Sequence, residues 1–526
     1  MSSARKRPLA RLLPAIAATM LAWSAYAQAP RPAEPRQQQP AAEAGDAGRP
    51  ARPSTAPRLP ADATSEHSVD LPGRVLRFKA TAGTIPIYDG NDHSLQAEIA
   101  YIAFTRADAD GAQRPVTFVF NGGPGAASAY LNLGAMGPWR LPMEQIAPSS
   151  PPVVVPNAET WLDFTDLVFV DPPGAGYSRL AGSGEALRRQ FWSVDGDAET
   201  LALFVRKWIE KFGRQTSPKF LVGESYGGFR VPRLARILQD HQQAGPAGLI
   251  MISPVLDFGW RGHSRHAPLA WVSRLPSMAA AAREIKGAQF DREALRDVER
   301  YAAGEYLQDL MRGERDAAAR ERMSERVAAF TGLDLETVRR LGGRVDADTF
   351  ERALLRNRGL VSSSYDATVT SHDPNPYAAT SRYRDPVLQA MSAPLAAAMT
   401  DVYRTKLGWK IEDPYRLLNS EVSNNWNWGR GRVSPQVVDD LRSVVSLDPR
   451  LRVLVTHGAS DLVTPYFENQ LILEQLPAFG PPDRIKFELY GGGHMYYSRD
   501  ASRRKLRDDA QALYRAVLTE TPKARE

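Results

Sequence analysis

Residues 223–227 read GESYG, one serine between two glycines, directly after the apolar run Phe220–Val222 and ahead of a helical pattern. A G-x-S-x-G at a strand-to-helix junction is the pattern of a nucleophile elbow. A turn that sharp forces the serine backbone into strain, and side chains on its neighbours would clash, so glycine flanks it. The helix that follows points free N–H groups and its positive end at the site. The chemistry would be nucleophilic attack by Ser225 on a carbonyl, once a base has taken its proton. The competing reading is an ordinary tight turn.

A serine nucleophile needs a base, and the base needs an acid. In a sheet architecture of this kind they follow in the order serine, acid, histidine. His494 lies in LYGGGHMYY, after an apolar strand and three glycines that let its ring reach the sheet edge. Asp461 ends RVLVTHGASD, 33 residues earlier, at a second strand end. Its carboxylate could accept the imidazole N–H and stabilise the imidazolium. Asp257, at another strand end, is the alternative acid, and His457, within a strand end, reads as structural. An oxyanion hole would use the N–H of Tyr226 and the loop NGGPGAAS at 121–128, where Gly122 and Gly123 allow close approach and Pro124 stiffens the turn.

The elements that would hold these groups are short apolar strands ending in glycine-rich loops: PVTFVFNGG, DLVFVDPPGAG, KFLVGESYGG, GLIMISP and RVLVTHGASD. Helical patterns over Val194–Phe212 and Phe229–Gln242 fall between them. Apolar strands alternating with helices predict a parallel sheet covered on both faces. Ligands then sit beyond the carboxyl ends of the strands, where all these loops fall. RVLRFKATAGTIPIYD and LQAEIAYIAFTR read as antiparallel strands ahead of that sheet. The beat stops near Asp257 and resumes at Leu451. The expected organisation is a core at 67–263 and 446–526, with a mainly helical cap inserted at 264–445.

Arg5, Lys6, Arg7 and Arg11, the apolar stretch Leu12–Trp23 and the small residues Ala25 and Ala27 form a secretory signal pattern at 1–27, with cleavage expected after Ala27. Residues 28–66 are expected to be a disordered linker, since 28–60 hold eight prolines among Ala, Arg, Gln and Glu. A secreted or periplasmic protein without stable membrane insertion follows from this reading. Cysteine is absent from the 526 residues, which excludes disulfides, thiolate metal sites and a cysteine nucleophile. A net charge of +6, with basic residues interspersed with acids, speaks against a nucleic-acid partner. His263 and His266 form a short pair without a third ligand at metal-site spacing, so no metal or other cofactor is expected. Trp426 and Trp428 could line a substrate groove or pack the cap.

Taken together, NGGPG, FVDPPGAGYS, GESYGG, HGASDLVTP and GGGHM resemble the serine carboxypeptidases, exopeptidases of the α/β-hydrolase fold. The resemblance spans about 121–495 and omits the linker and most of the cap. It implies a mostly parallel central sheet flanked by helices, Ser225, Asp461 and His494 as the catalytic triad, and the Gly123 and Tyr226 N–H groups as the oxyanion hole. It also implies that Asn121, Gly122 and Glu224 bind the terminal carboxylate of a peptide substrate. Beside a carboxylate, Glu224 must be protonated, or two like charges would meet. The function expected is release of C-terminal amino acids through an acyl-enzyme. An esterase or acyltransferase using the same triad, and a non-catalytic binding protein on the same fold, are the other readings. Departures from the family pattern cluster at the carboxylate end. Ala126 and Val119 stand where cysteine and tryptophan are usual, Ala135 stands where a glutamate precedes a Gly-Pro pair, and HMVP is HMYY. The missing cysteines suggest a cysteine-free, bacterial branch.

Overall fold

The computed structural model describes residues 59–109, 111, 113–261, 264–429, 431 and 433–520. The signal pattern, the linker up to residue 58 and His263 lie outside the described residues. The linker reading ends too late. Strand β1 (Ala63–Leu71) begins inside it and pairs antiparallel with β2 (Arg74–Tyr88) in the register Ala63↔Ala82. Its outward residues Thr64, Glu66, Ser68 and Asp70 are polar, and only Val69 and Leu71 are fully buried. An edge strand needs one apolar face at most, so its hydrophobic signal in sequence is weak.

The other strands along the sheet are β3 (Leu95–Arg106), β4 (Val116–Phe120), β5 (Asp166–Val170), β6 (Lys219–Glu224), β7 (Gly248–Ile252), β8 (Arg452–Gly458) and β9 (Ile485–Tyr490), and a two-residue strand, Arg179–Leu180, pairs with β3 off this path. Their spatial order is β1-β2-β3-β5-β4-β6-β7-β8-β9. Pairing is antiparallel as far as β5 and parallel from β5 to β9. The central strands β4, β5 and β7 are buried along their whole length. This is why they read as unbroken apolar runs and not as alternation.

The main helices are α1 (Val194–Lys211), α2 (Tyr226–His241), α3 (Pro268–Ile285), α4 (Ala317–Thr331), α5 (Pro386–Asp401), α6 (Val438–Leu447), α7 (Tyr466–Glu474) and α8 (Asp500–Glu520). Side chains alternate across the sheet into two cores. Val119, Val222 and Ile250 face Leu395 of α5 and Leu506, Leu513 and Tyr514 of α8. Phe118, Leu221 and Met251 face Leu201 and Phe204 of α1, Leu234 of α2 and Leu441 of α6. A parallel sheet with helices on both faces and an antiparallel β1–β3 flank is the α/β-hydrolase arrangement.

The insertion between β7 and β8 is less uniform than a lid. Its α3 and α4 build a third core with Tyr466 and Phe467 of α7. Its later helix α5 joins the first sheet core. The boundary expected at 445 is also corrected, because α6 packs against α2 in the second core and belongs to the sheet scaffold. Among the described residues no helix is long and apolar enough to cross a membrane.

Candidate active site

Strand β6 ends at Glu224, and α2 begins at Tyr226. Ser225 between them has φ 60° and ψ −123°, a conformation that costs a non-glycine residue about 1–3 kcal/mol. The neighbouring glycines leave no room for side chains. A Cβ on Gly223 would lie 2.0 Å from the Gly227 carbonyl oxygen, and one on Gly227 would lie 2.4 Å from the Phe120 carbonyl oxygen. The Ser225 N–H donates to the Ile252 carbonyl at 2.9 Å, which ties the turn to β7. Ser225 stays half-buried while Glu224 and Tyr226 are buried, so the elbow presents its hydroxyl and little else. Pro232 sits in the second turn of α2, past the first turn where a missing N–H is free, and the helix continues through it.

Asp461 and His494 come from the loops after β8 and β9, which are adjacent parallel strands. His494 Nδ1 lies 2.7 Å from Asp461 Oδ2, and both residues are buried. A carboxylate can only accept, so Nδ1 carries the proton and Nε2 is left to act as base. The Val463 and Thr464 N–H groups donate to Asp461 Oδ1 at 2.8 and 2.9 Å, and the Thr464 hydroxyl donates to Oδ2 at 2.6 Å. Burial opposes a charge on His494, but the Asp461 carboxylate outweighs it and, with Glu224, holds the imidazole pKa above its ordinary value. Asp257 does not share this site. It is half-buried and accepts from the Gly259 N–H at 2.7 Å. His457 is buried beside Asn469 (3.1 Å), and burial pulls its pKa down to about 3, so it is a neutral structural group.

Ser225 and His494 line one cleft of about 230 Å³, together with Asn121, Gly122, Gly123, Glu224 and Tyr226. Gly122 packs onto the elbow so tightly that a Cβ there would lie 2.5 Å from the Tyr226 nitrogen. Gly123, with φ +97°, is the exposed residue of that loop. As the first residue of α2, Tyr226 has an N–H without an acceptor inside the helix. The arrangement can therefore present two backbone donors to a developing oxyanion. Arg230 anchors the loop: its Nη1 donates to the Asn121 carbonyl at 2.6 Å, and its Nε pairs with buried Asp197 of α1 at 2.5 Å.

Asn121 and Glu224 are joined directly, Nδ2 donating to Oε2. The Leu131 N–H donates to Asn121 Oδ1 at 3.2 Å, which sets the amide so that its NH₂ faces the acid. Glu224 Oε1 accepts from the Tyr497 hydroxyl at 2.8 Å. Burial is the main cause that pushes the Glu224 carboxyl up to about 7, and Asp461 adds to it. Trp428 lines the cleft and is 41% exposed, whereas Trp426 is buried edge-on against Tyr226. One indole of the pair thus lines the groove and the other packs.

Sequence reasoning missed Thr464, Tyr497 and the insertion segment 363–368. The Tyr365 carbonyl accepts from the His494 N–H at 2.5 Å, and its ring meets the imidazole edge-on at 5.3 Å. Asp366 accepts from the Gly493 N–H at 3.0 Å and from the Ser460 hydroxyl at 2.8 Å, so it spans both the acid and the base loops. No local pattern marks Tyr365, Asp366 or Tyr497, since each acts across more than 90 positions of chain. Thr464, three residues after Asp461, was findable as an Asx-type turn around that acid.

Residues 72–256 match the serine carboxypeptidase family model. That stretch carries the NGGPG loop, Glu224, Ser225 and Tyr226 of the serine carboxypeptidase pattern, while Asp461 and His494 lie beyond it. Serine carboxypeptidase-like 45 of Arabidopsis thaliana is 26% identical over 213 residues, which cover 38% of this chain and 42% of the relative. A pheromone-processing carboxypeptidase of Verticillium alfalfae is 30% identical over 162 residues, 28% of this chain and 24% of that protein. The chain thus spans less than half the length of these relatives. Among solved structures, proline iminopeptidase of Mycobacterium smegmatis aligns over 84% of this chain and 100% of that one, at 16% identity and a TM-score of 0.37.

Proposed function

We propose that the protein is an exported serine carboxypeptidase. Ser225 Oγ attacks the carbonyl of the last peptide bond while His494 Nε2 takes its proton. The Gly123 and Tyr226 N–H groups bind the oxyanion. His494 then gives the proton to the departing amino acid, and water, activated by the same imidazole, hydrolyses the acyl-enzyme. Asn121, Gly122 and protonated Glu224 hold the substrate's terminal carboxylate. The single observation that carries this reading is the buried Asp461–His494 pair opening onto the same cleft as the strained Ser225, with Glu224 beside them. The signal pattern at 1–27 supports export.

Diisopropyl fluorophosphate tests the nucleophile. One equivalent on the tryptic peptide that contains Ser225 is expected, and Ser225→Ala is expected to abolish labelling and to lower kcat by about 10⁴-fold or more. A folded protein that takes no label would leave the non-catalytic binding reading in its place. The departures at Val119 and Ala135 favour a second reading, an esterase or acyltransferase with the same triad. Turnover of acyl esters without cleavage of any free-acid peptide would decide for it.

A further inference from the structure

Both carboxyl oxygens of Glu224 are engaged inside the protein, Oε2 by Asn121 and Oε1 by Tyr497, and all three side chains are buried. Tyr497 follows His494 by three residues, in the short turn Tyr496–Ser498. The loop that carries the imidazole therefore also carries a ligand of Glu224. Tyr497 belongs to HMYY, where the resembling sequences read HMVP, and the glutamate they carry further upstream is Ala135 here. The turn bearing Ala135 abuts Tyr497: a Cβ on Gly134 would lie 2.8 Å from Cε2 of the Tyr497 ring. The phenol thus occupies the space between that turn and Glu224.

We propose that Tyr497 is a positioning residue that decides which oxygen of Glu224 faces the substrate, holding Oε1 as an acceptor and leaving Oε2, beside Asn121, to carry the proton toward the substrate's terminal carboxylate. This rests on the carboxylate-binding reading of Glu224 above. A neutral carboxyl must split its roles, one oxygen accepting and the other bearing hydrogen. The Tyr497 phenol keeps its hydrogen throughout the working range, because burial first and the charge of Glu224 second push its pKa well above the ordinary value. Donating to Oε1 as it does here, it leaves Oε2 as the oxygen that bears the Glu224 proton. Asn121, itself fixed by the Leu131 N–H, can donate to a remaining lone pair of Oε2 or to the ligand.

The titratable groups facing Glu224 are His494, Tyr496 and Tyr497 from the loop after β9, Asp461 from the loop after β8, Tyr130 from the turn after β4, and Tyr365 from the insertion. Among these the tyrosines hold their protons, and Asp461 is committed to His494.

The test compares kcat/KM for benzyloxycarbonyl dipeptides with a free C-terminal carboxylate and for the same peptides as C-terminal amides. In Tyr497→Phe, which keeps the ring against Gly134, the acid-over-amide ratio is expected to fall about tenfold, the scale of one lost hydrogen bond to an ionisable group. The pH midpoint of that ratio is expected to rise, since the missing hydroxyl had favoured the carboxylate form. Added to Glu224→Ala, which leaves the phenol no group to orient, the same change is expected to alter the ratio less than about twofold, because the two residues act as one unit. A Tyr497→Phe ratio equal to that of the wild type, as when both substrates suffer alike through a purely structural defect, overturns this inference and leaves the carboxylate reading standing. A wild-type ratio near one overturns both.

Discussion

Glu224 and His494 face opposite demands within one cleft. The imidazole must be neutral to act as base, and its pKa stands above the ordinary value because Asp461 supports the charge against burial. Glu224 must be neutral to approach a substrate carboxylate, and burial holds it so up to about pH 7. Peptide cleavage is therefore expected to fall in acid as His494 protonates, and above neutrality as Glu224 ionises and repels its ligand. Glu224→Gln separates the two limbs, because glutamine stays a neutral donor at every pH. Its activity on free-acid peptides, relative to wild type, is expected to be lower at pH 5 than at pH 8, read from kcat/KM profiles. Equal losses at both ends would mean that the acid only orders the elbow. The serine, acid and histidine were legible from residue type and strand-end position. The hydroxyl that meets Glu224 was visible only as a departure, a tyrosine where the resembling sequences end in proline.

At the scale of elements, the site is held from two sides. Strands β4 and β6 deliver the NGGPG loop and the elbow as neighbours, and Arg230 stitches α1, α2 and that loop together. Strands β8 and β9 deliver Asp461 and His494, and the insertion closes over them through Asp366. The Asp366 carboxylate also accepts from Arg499 Nη2 at 2.9 Å and the Thr368 hydroxyl at 2.7 Å. Asp366→Ala removes a shared acceptor from buried donors and is expected to lower unfolding stability by about 2–4 kcal/mol in urea titrations. It is also expected to depress kcat for peptides and esters alike under conditions where the variant remains folded, since both loops lose one anchor. Unchanged kcat would show that the loops hold the triad without the insertion. The two boundaries missed in sequence have separate causes. β1 carries too few apolar residues to announce itself, and α6 lies on the cap side of the break in rhythm yet packs on α2.

For the whole molecule, the described residues between 59 and 520 carry the sheet and the candidate site, and the signal pattern lies ahead of them. Export with cleavage after Ala27 predicts that the protein recovered from a periplasmic or secreted fraction begins at Gln28 by intact-mass measurement. Recovery only in the cytoplasm, with the first 27 residues retained, would remove export from the reading. The sequence by itself determined the alternation of buried strands and helices, the strained serine, and the strand ends on which acid and base would ride. These are local consequences of period, glycine placement and chain order. Only the tertiary structure decided that His494 pairs with Asp461 and not Asp257, that Tyr497 reaches Glu224, and that the insertion is a strut as well as a cover. Those outcomes depend on which strands lie side by side and how loops from distant positions meet, a matter of packing that no short stretch of chain contains.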